Sequence, residues 1–273
     1  MKEKPGFLTL NFFRWIMREM SSVINEKLYK HKKTNELKGN ILSSKSTEAL
    51  SNGVNTSTKN PLLFVPSLAP IVIQLLFLFL AYVVFPYRYT YFTYYSNVIV
   101  PNAFLVWGGY FIAAILGFIA SCMIVDMAND NINGRPIDLN KSLNLVIGRL
   151  GSLILAAIIS AVCFITFFLI PIALFIITIA IIEKTDAIES TKRSFDFVLK
   201  NLGEIIVFMI IVIIAWIVLS VGFALIPFIG AYIGAVISWL LNVVLTVASV
   251  HFYLSLRPPS PTPSSTQGSK SIA

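Results

Sequence analysis

Five long apolar runs restrict this chain to one class of fold. They cover Leu62 to Phe85, Phe104 to Val125, Leu150 to Ile182, Ile205 to Leu225 and Ile229 to Leu256. A run of about 20 apolar residues matches the roughly 30 Å hydrocarbon core of a bilayer. Within lipid, every backbone N–H and C=O must find its partner inside the chain, and for runs of this kind the helix does that. Only 12% of the residues are charged, against about 25% in soluble domains. A globule of 273 residues has too little interior for so much apolar surface. The expected fold is all-α, a polytopic integral membrane protein.

The third run decides the topology, because Pro171 interrupts it. As one helix of about 33 residues it would reach roughly 50 Å, well beyond the hydrocarbon thickness. As a hairpin turning at Pro171 it gives six spans instead of five. Its second arm, Ile172 to Ile182, would then reach only about 16 Å, so it must continue past Glu183 or the bilayer must thin. Loop charges favour the hairpin. Six spans place 20 of the 21 Lys and Arg on one side, 11 of them in residues 1–60, and leave only Arg88 opposite. Five spans would strand the last six basic residues on the wrong face. Since Lys and Arg collect on the cytoplasmic side, six transmembrane helices with both termini cytoplasmic are expected, in the cell membrane. The same distribution accounts for the net charge of +8. It forms no basic stripe on one folded face, so no nucleic-acid partner is expected.

Three regions follow. Residues 1–60 form a basic cytoplasmic N-terminal region, residues 61–256 a six-helix membrane domain, and residues 257–273 a disordered Pro/Ser-rich cytoplasmic tail. Phe13, Ile16, Met17, Met20, Ile24 and Leu28 fall on one helical stripe. That amphipathic segment suits a membrane interface, a partner or the bundle itself. The stretch from Phe7 to Met17 is broken by Asn11 and Arg14 and has no cleavage site after it, so no secretory signal is expected. Residues 30–60 are rich in Lys, Asn, Ser and Thr and read as a mobile linker. Asn55-Thr56-Ser57 is a glycosylation sequon, usable only on an exterior side that the charges argue against.

The chain contains an internal echo. Residues 139–155 (LNKSLNLVIGRLGSLIL) and 191–207 (TKRSFDFVLKNLGEIIV) align without gaps. Lys141 matches Arg193, Ser142 matches Ser194, Val146 matches Val198, and Leu150-Gly151 matches Leu202-Gly203. Leu169-Ile170-Pro171 and Leu225-Ile226-Pro227 follow in turn. Each unit reads as an amphipathic helix, a Leu-Gly joint, a span, an Ile-Pro turn and a returning span. Two crossings per unit make a parallel repeat about an axis along the membrane normal.

In the second unit, Asp186 with Glu189 has capping-box spacing. Ile188, Thr191, Phe195, Val198, Leu199 and Leu202 form one apolar stripe, and Glu189 with Arg193 and Asp196 with Lys200 are i,i+4 pairs. The helix should lie on the cytoplasmic interface. Lys192, Arg193 and Lys200 are then either a solvated face or contacts to anionic lipid headgroups, at about 1 kcal/mol per basic residue.

The run Ile182-Glu183 to Ala187-Ile188, followed by Lys192-Arg193-Ser194-Phe195 and Lys200-Asn201, resembles a membrane superfamily. It looks like the six-helix membrane domain fused to some glycerophosphodiester phosphodiesterases, and like stand-alone prokaryotic membrane proteins. The likeness covers residues 105–257 and implies a fold and a membrane address. It departs from the family at Ile172, where glycine often follows the proline. It does not bring the phosphodiesterase activity, because no catalytic barrel is present.

No catalytic arrangement is visible, so a non-enzymatic protein without cofactor or metal is expected. Cys122 and Cys163 lie in apolar runs far from either histidine, which indicates neither a zinc site nor a disulfide framework. Asp126, Glu183 and Glu204 fall at cytoplasmic ends of spans, where they should stay hydrated, and none is placed for ion coupling. His251 reads as an interfacial structural residue. In the last span Ser238, Asn242, Thr246 and Ser249 share one face. They either pack against neighbouring helices or line a pore or groove, with Gln74 as a partner. The segment Tyr87 to Tyr95 reads as an external aromatic belt or a binding platform. The expected role is to organise membrane lipids, anionic ones included, or a protein partner held by the N-terminal region. Passive transport of a small molecule or lipid is the alternative.

Overall fold

The computed structural model describes residues 44–90, 97–165, 169–226 and 229–257. Expectations for the N-terminal amphipathic segment, residues 30–43 of the linker and the tail from residue 258 lie outside them. Nine α-helices occur among the described residues, together with one small β-hairpin. They are α1 (Ser44–Lys59), α2 (Leu68–Phe79), α3 (Ala103–Ile132), α4 (Leu139–Gly148) and α5 (Leu150–Ile165), then α6 (Ile170–Ile182), α7 (Ala187–Lys200), α8 (Leu202–Ala224) and α9 (Ile229–Leu256). A 3-10 turn, Pro61–Ser67, leads into α2, and a π-turn, Leu80–Val84, ends it. Four helical stretches are long and apolar enough to cross a membrane: Pro61–Val84, α3, α8 and α9. A fifth is available if α4 and α5, bent by 75° at their joint, act together.

The third apolar run is two helices, α5 and α6, not one kinked rod. Pro171 sits in the first turn of α6, where its missing N–H leaves no helical bond unmade. With 13 residues, α6 reaches about 20 Å. It is also the most enclosed helix, with Phe175, Ile176 and Ile179 fully buried.

One correction concerns the linker. From Ser44 on, the expected linker is helix α1, which packs along the C-terminal half of α9. Its small residues Ser46, Ala49, Gly53 and Ser57 are buried on one stripe. Close approach replaces apolar bulk there: a Cβ at Gly53 would stand 2.7 Å from the Ala248 Cβ. Ser46 bonds the Glu204 carbonyl at 3.0 Å, and Thr56 meets the His251 Nε2 at 2.9 Å. His251 is thus part of the α1 seam. At the start of the tyrosine-rich segment, Tyr87–Thr90 pairs antiparallel with Asn97–Val100 in a hairpin.

Polar contacts gather at the end of the bundle away from that hairpin. Arg149, at the joint of α4 and α5, donates to the carbonyls of Ala180 (2.8 Å) and Thr185 (2.6 Å). It thereby meets one carbonyl in the last turn of α6, where a helix leaves its final C=O groups without partners, and one in the connection that follows. Asp130, only 1% exposed, holds Arg135 at 2.8 Å and Lys141 at 2.5 Å. Asp126 is 5% exposed and accepts from the Ser142 hydroxyl at 2.7 Å. The expectation of a hydrated Asp126 is therefore wrong: α4 folds over the end of α3 and covers it.

The two helices that lead into α5 and α8 are held by like contacts. Lys141 on α4 pairs with Asp130 near the end of α3, and Arg193 on α7 pairs with Glu183 at the end of α6. The matched Ser142 and Ser194 are both buried, and Ser194 donates to the Ile172 carbonyl at 2.7 Å. The capping box expected on α7 does not form. Asp186 is at the N-cap without a side-chain bond, whereas Asp138 caps α4 through the Asn140 and Lys141 amides at 2.9 and 3.1 Å.

Candidate functional groove

The polar stripe of α9 faces two cavities. The outer one, about 740 Å³, lies among α2, α3, α8 and α9, and Gln74, Ser238 and Asn242 line it with Trp216, Tyr82 and Tyr110. The inner one, about 270 Å³, reaches toward α5 and α6 and is lined by Asn242, Thr246 and Ser249 from the same stripe. Asn242 and Trp216 belong to both linings and stand between them. Of the residues singled out in the sequence, Gln74, Ser238 and Asn242 lie in the outer lining and Asn242, Thr246 and Ser249 in the inner. Sequence reading missed Trp216, Ser121 and Ser160. These lie on three different helices, and only packing brings them to the stripe.

Bulk and hydrogen bonds set the walls. Gln74 is 6% exposed and accepts from the Trp239 indole N–H at 2.6 Å. Gln74 thus holds the indole beside the stripe rather than bonding the stripe itself. The ring has room because residue 117 is glycine: a Cβ there would lie 2.1 Å from the Trp239 ring. Replacing Trp239 by phenylalanine should leave the Gln74 carbonyl buried and unpaired, costing about 1 kcal/mol. Thermal unfolding of the purified protein measures this, and adding Gln74→Leu should recover part of the loss.

The groove is polar but uncharged. Thr246 and Ser249 donate back to the carbonyls of Asn242 (2.7 Å) and Leu245 (2.8 Å), so only their lone pairs are free to face inward. The Asn242 amide reaches the Ser121 hydroxyl at 3.4 Å, a long contact with capacity to spare. No Asp, Glu, Lys, Arg or His lines either cavity. Such a site can hold a neutral molecule and orient it. It offers no general base or nucleophile pair, and no group of metal-binding side chains occurs among the described residues.

The basic candidates on α7 lie apart from the groove and divide. Arg193 is committed to Glu183 and Glu189. Hydrogen bonding to Glu183 first, then to Glu189, raises its pKa above the ordinary value. It is a tie between α7 and the end of α6, not a free headgroup contact. Lys192 and Lys200 are exposed. The apolar stripe divides as well: Val198 is buried while Ile188, Phe195, Leu199 and Leu202 face outward. No family model, curated protein or solved structure matches this chain.

Proposed function

We propose that this chain is a non-catalytic, multi-pass membrane protein that receives a neutral lipid-like or small molecule in the groove along α9. One observation carries the reading: the uncharged polar stripe lines two cavities that meet at Asn242 and Trp216. Intramembrane sites of this kind are mostly apolar with a few placed polar groups. Replacing Asn242 by leucine fills the junction with an apolar side chain. Neutral lipid co-purifying with the protein should then fall severalfold by mass spectrometry; an unchanged lipid complement would remove the reading.

Passive transport is the second reading, because the same two cavities extend from near the hairpin end toward the charged end. Solute flux into reconstituted liposomes that disappears with Asn242→Leu would favour it over static binding. The exposed outer faces of α4 and α7 suit a bilayer interface, with Lys192 and Lys200 toward anionic headgroups. The N-terminal region remains the proposed partner-binding arm.

The proposed topology has six crossings in the cell membrane, α5 and α6 forming the short pair, with both termini cytoplasmic. The matched ties of Lys141 and Arg193 support a parallel repeat, and with it the resemblance to the six-helix membrane domain. A cysteine at position 166, between α5 and α6, should react with an impermeant thiol reagent from outside intact cells, and one at position 200 should not. The native cysteines, both buried, are replaced by alanine in this test. Reaction at position 200 would overturn the orientation, and silence at 166 would reduce α5 and α6 to a dip that does not cross.

A further inference from the structure

We propose that the inner cavity is a head-group site for an uncharged, hydroxyl-bearing amphiphile, and that Ser160 is the residue that grips it. The proposal rests on the groove reading and adds the chemistry of the occupant.

Ser160 is 4% exposed, lines the inner cavity, and its Oγ has no hydrogen-bond partner. Interiors rarely leave a hydroxyl in that condition, because the group has given up water and gained nothing. The other hydroxyls on the α9 wall behave differently: Thr246 and Ser249 give their protons to their own helix. The chamber thus presents lone pairs from α9, a loosely held amide at Asn242, the hydroxyls of Ser121 and Thr178, and on α5 the buried, unpartnered hydroxyl of Ser160. A guest that both donates and accepts, as an alcohol does, completes this set.

Charge narrows the class further. A phosphate or ammonium head would leave water and meet no counter-charge in the linings of either cavity. The outer cavity continues from Asn242 along Leu219, Phe223 and Ile226, an apolar wall suited to a tail. Its volume falls within the range of about 300–1,000 Å³ usual for small-molecule sites. A single-chain glyceride has the required form: a neutral diol head and one hydrocarbon chain.

The test uses the full chain in phosphatidylcholine nanodiscs with a photoactivatable monoacylglycerol. Labelling of α5 and α9 peptides should saturate, and lysophosphatidate with the same chain should compete at least tenfold less well than unlabelled monoacylglycerol. Ser160→Ala should weaken labelling about threefold to tenfold, as expected for one lost neutral hydrogen bond. Ser160→Val, which fills the space, should abolish it. A photoactivatable alkane should still label the outer-cavity peptides of both variants as in the native chain, which shows that they are folded. Equal competition by lysophosphatidate, or undiminished labelling of Ser160→Ala, would overturn the head-group proposal while alkane labelling keeps the groove. Failure of both probes on the native protein would overturn the two together.

Discussion

Replacing Arg135 and Lys141 together by methionine is expected to cost about 3–5 kcal/mol of stability, more than replacing the carboxylate they share. The asymmetry comes from burial. The Asp130 side chain is 2% exposed, whereas those of Arg135 and Lys141 are 53% and 49% exposed. Without Asp130 the two cations turn to water, and the loss is little more than that of half-exposed pairs. Without the cations, a carboxylate under α4 has neither charge partner nor solvent. Asp130→Asn should therefore be the milder variant by at least 1 kcal/mol, an estimate from the same asymmetry. Equilibrium unfolding in detergent of the native chain, Asp130→Asn and the double-methionine variant checks the order. If Asp130→Asn is the more damaging, α4 is not held down by these charges, and the matched ties of α4 and α7 lose their meaning.

What the sequence made readable divides along physical lines. Apolar length was plain: the described residues of every run are mainly helical, and Pro171 falls in the first turn of α6, because lipid admits few backbone solutions. The stripe of Ser238, Asn242, Thr246 and Ser249 was readable because helical spacing alone puts these residues on one face. Their partners were not, since Trp216, Ser121 and Ser160 reach the stripe only through the tilt and spacing of separate helices. Helix α1 was missed for another reason. Its residues are mostly polar and small, a composition that also describes a linker. Yet Ser46, Ala49, Gly53 and Ser57 recur at steps of three and four, the interval of a helix that packs by close approach. Asp126 misled because its position near a helix end suggests water. No local pattern announces that α4 will fold across it.

Gly53→Leu should detach α1 from α9 while leaving the membrane-embedded helices in place. Leucine is among the better helix formers, and glycine among the worst. By intrinsic propensity α1 should gain about 0.5–1 kcal/mol, so loss of structure cannot come from a weakened helix. The opposing effect is steric. Even the first carbon of the new side chain would lie 2.7 Å from the Ala248 Cβ, 2.8 Å from its Cα and 2.9 Å from its N. Two of those atoms are backbone and cannot rotate away, so the helices must separate. Overpacking costs typically about 1–3 kcal/mol where neighbours yield; here the seam fails as a unit, taking the Thr56–His251 bond and the Ser46–Glu204 bond with it. Hydrogen exchange across residues 44–59 should rise by orders of magnitude, and limited proteolysis should cut there first. Gly151→Leu is the matched control, because a Cβ at Gly151 meets nothing within 4 Å. If α1 keeps its protection in Gly53→Leu, the glycine is not what sets the distance between the helices. The close seam that brings a polar helix onto the bundle would then need another cause.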